Sequence, residues 1–492
     1  MKRVFIFIAA LTFTATVFAG GFVTNTNQSA RFLRNPARTA STEIDAIYSN
    51  PAGLSFMKET FVISVNNQMA FQTRTIKSTF EPFKLNGGKD TKEYKGTAQS
   101  FFIPSVQIAY KIKENWVISG GFSIMGGGGT LEFKDGLPMF EAAVAGGLAK
   151  LNGALYNPAL PPLLQYNGKP MTYSLNMNLK GTSITYGAQL GLNYKVMNMI
   201  SFFVGARACF VQNGYKGYLN NVLITDVDSA KKQLNYVGVA LEAGMPDVSK
   251  MYKGAALQLT GLQNLNLNLN TQQKGWGITP ILGADFNYKN LNIGVRYEFN
   301  TKITLKNKTK SGGDAGMDAY KDGVKTRYDI PGMFSAGVSY KFLKEKLIAS
   351  VGCHVFLDKF AKMPDDKQKY LKHNSYEILM GLEYVINERF LVSAGAQVTR
   401  LGIGNGAKLK EVAQADGTKT QVDGFQSNVA FSCNSFSIGL GGACNIIKNL
   451  TLNLSYFYTG YDKYTNNNPG YAGKEIYNRT SHTVGIGLDY KF

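Results

Sequence analysis

The sequence predicts an all-β chain, a 14-stranded antiparallel transmembrane β-barrel with an N-terminal hatch (plug) segment in its lumen. Three observations point there. Apolar residues alternate strictly: Leu291, Ile293, Val295, Tyr297 and Phe299 share one face, with Asn292, Gly294, Arg296, Glu298 and Asn300 on the other. Such a period of two marks strands apolar on one side only. The segments of this kind number fourteen, and their connections alternate between short and long. Finally, the stretch ahead of the first strand has no period at all.

Residues 1–19 read as a secretory signal peptide. Lys2-Arg3 opens it, an apolar run from Val4 to Val17 follows, and Val17-Phe18-Ala19 precedes Gly20. A basic start, a short apolar core and a small residue at the cut are the signature of export, and the run is too short to span a bilayer. Glycine (53), tyrosine (27) and phenylalanine (31) are abundant. No linker or charge block divides the chain after residue 58, so one large β domain, 59–492, is expected. The net charge of +20 suits lipopolysaccharide phosphates or acidic ligands in an exported chain better than nucleic acid, which is not expected as a partner. Cys209, Cys353, Cys433 and Cys444 form no C-x-x-C pair. Reading Cys433 and Cys444 on one strand sets them roughly 35 Å apart, so no disulfide is expected.

The segment 20–58 is small, polar and punctuated by proline. It runs from Gly20-Gly21-Phe22 through Arg34-Asn35-Pro36-Ala37 to Asp45-Ala46 and Asn50-Pro51-Ala52-Gly53-Leu54. Asn before Pro leaves the helical region, and Ala-Gly after it permits close backbone approach. That composition suits a compact plug, with Asn50, Pro51, Ala52 and Gly53 against the wall.

The fourteen strands fall at about 60–77, 98–112, 116–133, 172–195, 199–222, 262–288, 290–307, 324–343, 346–362, 374–387, 389–404, 425–446, 449–464 and 477–492. Several end in Tyr-Lys beside a short turn, as at Tyr110-Lys111, Tyr194-Lys195, Tyr288-Lys289, Tyr340-Lys341 and Tyr490-Lys491. Tyrosines at one level, with lysines just beyond, form the girdle of a membrane interface. An even number of strands, short turns at one end and long loops at the other is the plan of a multi-pass barrel in the outer membrane of a Gram-negative cell. Two long loops carry helical spacing, at Phe140, Val144, Leu148, Leu151 and Leu155 and at Leu234, Val237, Leu241 and Met245. These are either packed helices that stabilise the loops or an apolar surface that collects a greasy ligand.

With these features together, the chain resembles the FadL-type outer-membrane transporters of long-chain fatty acids and hydrophobic compounds. The resemblance rests on Gly20-Gly21-Phe22, on Asp45-Ala46 followed by Asn50-Pro51-Ala52-Gly53-Leu54, on fourteen strands and on the terminal Phe492. Asn-Pro-Ala by itself is weak, since it recurs at 35–37 and 157–159; its place just before the first strand is the specific part. The resemblance implies a monomeric channel without a cofactor, whose partners are a fatty acid or hydrocarbon and the surrounding lipid. It also implies capture at apolar loops, a lumenal pocket, movement of the hatch and lateral exit at a kink in strand three. There the sequence carries Gly126, Gly127, Gly128 and Gly129, which either kink the strand or simply end it. The resemblance puts the ligand groove on the third and fourth loops, whereas here the fourth, Lys308 to Gly323, is short and polar and the second is long and apolar.

Extending the parity of Leu291 to Phe299 without a bulge sends Arg296, Lys302, Lys306 and Lys308 inward. Arg296 has Glu298 on its own face as a partner. Lys302 and Lys306 stand as candidate anchors for an acidic head group, or else as a solvated or lipopolysaccharide-binding row. Two other classes compete. A hydrolase needs a nucleophile beside His and a carboxylate, and of the three histidines only His354 reads as lumenal, with no Ser or Asp tied to it by spacing. A diffusion porin or adhesin calls for a polar lumen without a plug, whereas strand nine, Leu347 to Leu357, is apolar on both faces.

Overall fold

The alternation of the sequence closes into a ring. The computed structural model describes residues 27–312, 317–413 and 419–492. Residues 1–19, read above as a signal peptide, Gly20-Gly21-Phe22 and the Gly313-Asp314 pair of the fourth loop lie outside the described residues. The strands are β1 Phe61–Thr79, β2 Thr91–Lys113, β3 Trp116–Phe133, β4 Tyr173–Met197, β5 Ile200–Ile224 and β6 Leu267–Tyr288. β7 comprises Leu291–Glu298 and Thr304–Ser311, and β8 comprises Lys325–Arg327 and Met333–Phe342. There follow β9 Leu347–Phe356, β10 Ser375–Val385, β11 Phe390–Arg400 and β12 Ser435–Ile447. β13 is formed by Leu450–Tyr461 and Tyr464–Asn466, and β14 by Lys474–Lys491. Each pairs antiparallel with its neighbours, and β1 pairs with β14 from Val62↔Lys491 to Thr79↔Lys474. Closure leaves no edge strand exposed, as a wall in lipid requires.

Side chains sort by parity. On β14, Val484, Ile486 and Leu488 are exposed on the outside, while Asp489 is buried within. Trp276, Leu190 and Val204, each at least 60% exposed, continue this outer apolar belt. A soluble protein rarely displays so large an apolar area, and a belt of this kind suits the lipid-facing wall of a membrane barrel.

Three regions depart from the sequence reading. In β7 the inward parity flips: Arg296 and Glu298 are buried, but beyond Asn300 it is Thr301, Ile303 and Leu305 that point inward. Pro280 of β6 has no N–H to give at this point, and the ladder lapses between Ile281↔Glu298 and Lys274↔Lys306, leaving one extra residue on β7. Lys302, Lys306 and Lys308 are therefore exposed on the outer side. Residues 425–434, expected as the start of strand twelve, are not strand; Phe425, Phe431 and Cys433 are buried inside, so Cys433 and Cys444 do not share a strand. The expected start of strand six is instead the end of a helix.

The long loops form a cap at one end. Helix α1 (Pro138–Leu155) fills the second loop, and α2 (Val227–Ala240) and α3 (Pro246–Gln263) fill the third. A continuous apolar cluster joins Phe83, Val144, Leu148, Leu234, Leu259 and Phe431. Glu141 of α1 sits inside this cap, accepting hydrogen bonds from Tyr94 Oη (2.6 Å), Tyr173 Oη (2.9 Å), Asn86 Nδ2 (3.0 Å) and Lys92 Nζ. The polar node ties α1 to β2, β4 and the first loop.

Candidate functional site

Segment 27–57 is bonded to the wall on all sides. It contains two short helical turns, Ala30–Arg34 and Ala46–Ser49, and a 3₁₀ turn, Pro51–Phe56. Towards β10 and β14 the links are ion pairs, and towards β13 a hydrogen bond from a guanidinium. Arg31 pairs with Asp489 and Glu43, and Arg34 donates to Asn453 Oδ1 at 2.6 Å. Arg38 donates to Glu383 Oε2 at 2.9 Å and grips Asp45 with Nε (2.7 Å) and Nη2 (2.9 Å). Desolvation inside the barrel works against the charge of Glu43, although its side chain is partly exposed, and Arg31 and Arg38 outweigh it and hold this carboxylate well below its usual range.

Towards β4–β7 the wall instead reads the plug backbone. Gln189 Nε2 donates to Ile47 O and Ser201 Oγ to Ala52 O, both at 2.7 Å. Asn292 Nδ2 donates to Ala40 O at 3.0 Å and Arg296 Nη1 to Ser49 O at 2.7 Å. Of the residues expected against the wall, Asn50 bonds Ala284 O (3.0 Å) and Asp285 Oδ2 (3.2 Å), while Pro51, Ala52 and Gly53 form the buried 3₁₀ turn. Close approach explains one wall glycine: a Cβ at Gly439 would lie 2.0 Å from Leu33 O.

Between β2 and β3 the wall is interrupted. Their pairing stops at Gln99↔Thr130 and resumes only at Ser105↔Ser123. On the other side of β3, register shifts fall between Ile124 and Gly126 and between Gly127 and Gly129. Gly127 (φ 72°) and Gly128 (φ 99°) take left-handed backbone that other residues adopt at a cost. Asn67 of β1 engages both backbone groups freed nearby, accepting from Ile103 N at 3.0 Å and donating to Phe101 O at 3.1 Å. The four glycines are thus a kink within a strand that continues to Phe133. Sequence reasoning missed the other half of the gap, although Phe101-Phe102 followed by Pro104 marks it: proline breaks the ladder, and both aromatic rings are exposed.

A cavity of about 180 Å³ lies against this gap, bounded by Ser100, Ile103, Gly127 and Gly129 of the wall and by Gln28 and Phe32 of the plug. Arg74, Arg479, Glu377, Gln397, Phe431 and Phe457 also belong to its lining. This lining is more polar than the sequence of strand nine suggests. His354 touches Thr39 Oγ1 of the plug (3.3 Å) and Glu377 Oε2 (3.1 Å). A hydroxyl, an imidazole and a carboxylate in a row resemble a hydrolytic relay, but Thr39 is 1% exposed, sealed between plug and wall. No substrate reaches it; the row joins plug to wall.

The apolar stripe expected in the loops is placed in the cap. Val144, Leu148 and Leu234 are fully buried, and Leu241 is half-buried at the end of α2. Phe140 borders a small apolar pocket of about 30 Å³ with Leu179, Leu269 and Met317. Exposed apolar residues of the cap are others, among them Leu163, Tyr236, Val239 and Leu257. Lys302 and Lys306 line neither of these two cavities.

A closed fourteen-stranded barrel with an outer apolar belt is the class this geometry defines. Comparison with solved structures makes it specific to the FadL-type fold. A FadL homologue of Pseudomonas aeruginosa is 11% identical with a TM-score of 0.59, over 96% of this chain and 100% of that one. Two deletion variants of the monoaromatic hydrocarbon channel TodX also match. The deltaS2S3 form is 13% identical with a TM-score of 0.52, over 94% of this chain and 99% of its own. The deltaS2 form is 12% identical with a TM-score of 0.50, over 92% and 94%. No protein-family model and no curated protein sequence matches the chain. The two TodX forms are described as monoaromatic hydrocarbon channels and the first structure as a FadL homologue.

Proposed function

We propose that the chain is an outer-membrane uptake channel for hydrophobic small molecules, with residues 20–58 as its plug, the cavity as its lumenal pocket and the β2–β3 gap as its lateral exit. The observation that carries this reading is the coincidence of three features at one place. The cavity is bounded by the plug, by the kink at Gly126–Gly129 and by the unpaired stretch of β2. A molecule in the cavity faces a wall whose backbone hydrogen bonds are already open, so leaving sideways breaks no ladder. The apolar cap residues, with the Phe140 pocket, would gather ligand at the mouth. Fatty acids and hydrocarbons are the cargo classes considered, the first from the sequence resemblance and the second from the description of TodX as a monoaromatic hydrocarbon channel.

A diffusion porin is disfavoured by the plug, which is held by ion pairs and by wall side chains bonded to its backbone. The test is uptake of radiolabelled toluene and palmitate by cells carrying the channel in an otherwise uptake-deficient outer membrane, compared with liposome leakage of small sugars. Hydrophobe uptake without sugar leakage is expected, and deleting residues 27–50 is expected to open the sugar leak. Leakage unchanged by the deletion would remove the plug from the mechanism.

A further inference from the structure

The extra residue in β7 builds a row of cations on the outside of the wall. Lys306 of β7 stands directly between Lys274 of β6 and Lys325 of β8, its partners in the register on either side. All three are exposed, as is Lys308, one row nearer the cap and opposite Gln272. Neighbouring strands lie about 5 Å apart, and like charges directly opposite each other weaken a sheet. Among the described residues none of the four lysines pairs with a carboxylate. Arg327, two residues along β8 from Lys325, is by contrast taken up by Asp329 at 2.7 Å. Asp322 of the adjoining loop accepts from Thr309 N at 2.9 Å.

The row also has a fixed height on the barrel. Trp276 lies two residues from Lys274 on the side away from the cap. It is the register partner of Phe210 on β5, which in turn faces Tyr186 on β4. Trp276 is 65% and Phe210 50% exposed, both on the outer face. Aromatic rings in one row mark the level where hydrocarbon gives way to headgroups. Two residues of strand place the lysines about 7 Å further out, within a headgroup layer roughly 5–8 Å thick on each side of a bilayer. The anion met at that depth is a lipid phosphate.

We propose that Lys274, Lys306 and Lys325, with Lys308 above them, bind the phosphate groups of lipopolysaccharide in the outer leaflet. Each ammonium is a compact charge with three donors, so neighbouring lysines share the oxygens of one phosphate, and such charge-assisted bonds are the strong ones. The acyl chains of the same lipid lie below, along Trp276 and Ile278, which is also exposed. A bound phosphate supplies the counter-charge that the row lacks. The proposal rests on reading the chain as an outer-membrane channel with its cap outward, and it adds a lipid partner on the wall without involving the cavity.

The experiment is native mass spectrometry of the full barrel in neutral detergent, titrated with diphosphoryl lipid A and with the same lipid stripped of both phosphates. The phosphorylated form is expected to bind at least about tenfold more tightly. Equal binding of the two overturns the proposal without any variant having to fold. The triple variant Lys274→Gln, Lys306→Gln, Lys325→Gln should lose the preference. Lys289→Gln, Lys344→Gln, Lys346→Gln removes the same charge from exposed turns at the opposite end and should keep it. Equal loss in both triple variants would reduce the effect to net charge and overturn the row as the site. Inorganic phosphate in large excess should leave the lipid bound; displacement would overturn the lipid as the occupant. Toluene uptake in cells separates the two levels of the argument. Uptake without the lipid preference overturns the lysine site alone, whereas the preference without uptake supports the site and overturns the channel.

Discussion

Arg31 of the plug donates through Nε and Nη2 to one carboxylate oxygen of Asp489 on β14, at 3.0 and 2.8 Å. The same carboxylate accepts from Ser64 Oγ of β1 at 2.5 Å and from Asn453 Nδ2 of β13 at 2.8 Å. One wall residue therefore joins three strands to the plug. Breaking a buried pair by removing one partner costs about 3–5 kcal/mol, less here because Glu43 still pairs with Arg31. Asp489→Ala is expected to loosen the plug and raise sugar leakage in liposomes, with Asp489→Asn intermediate. Leakage at the unaltered level in both variants would place the anchor elsewhere.

The kink in β3 makes a sharper test than the glycine run as a whole. A Cβ at Gly127 would lie 1.9 Å from the Ser183 carbonyl oxygen of β4, and its φ of 72° is costly for any other residue. Left-handed backbone alone costs roughly 1–2 kcal/mol for an L-residue. Gly127→Ala should shift the kink and lower hydrophobe uptake while the barrel still assembles, as judged by its heat-modifiable migration in gels. Gly153 of α1 has open space around its Cβ position, so Gly153→Ala is the matched control and should leave uptake unchanged. Normal uptake by both variants would move the exit away from the gap.

Much of the barrel was legible because parity is a local property. Fourteen strands, their alternation and the short turns follow from residues two apart, and the loss of that pattern before residue 59 marks where the wall begins. What failed was non-local. The flip in β7 depends on Pro280, which lies on the neighbouring strand, so nothing within 291–307 announces it. Residues 425–434 are apolar enough for a strand but turn inside, where Phe431 stacks on Tyr477 with ring centres 4.7 Å apart. Helix α3 was missed because Met251, Leu257 and other apolar residues of its exposed face blur the helical stripe. The meeting of Arg74 and Arg479 on the cavity lining was likewise out of reach, since β1 and β14 pair only when the ring closes.

The flip also decides the lysine row. With Lys302 and Lys306 outside the wall, the double variant Lys302→Ala, Lys306→Ala is expected to bind a fatty acid and its uncharged alcohol in the same ratio as the unaltered protein. A loss confined to the acid would return these lysines to the site.

Glu141 gives the cap a predictable acid limit. Burial disfavours its charge, but hydrogen bonds from Lys92 and Tyr94 outweigh that and hold it below the usual carboxylate range. A carboxylate whose folded value is depressed contributes stability above its unfolded value, near pH 4.3 for glutamate, and loses it as pH falls through the folded one. The four side chains around it pin α1, so their loss frees the helix rather than the barrel. Protease protection of the second loop should therefore be constant from neutral pH down to about pH 4 and decline below it. Glu141→Gln keeps the shape and gives up the charge, and should weaken the cap by about 1.5–3 kcal/mol at neutral pH. Its residual protection should then not fall further across that acid window. A variant that matches the unaltered cap at pH 7, or that shows the same acid decline, would show that the cap is held by its apolar cluster alone.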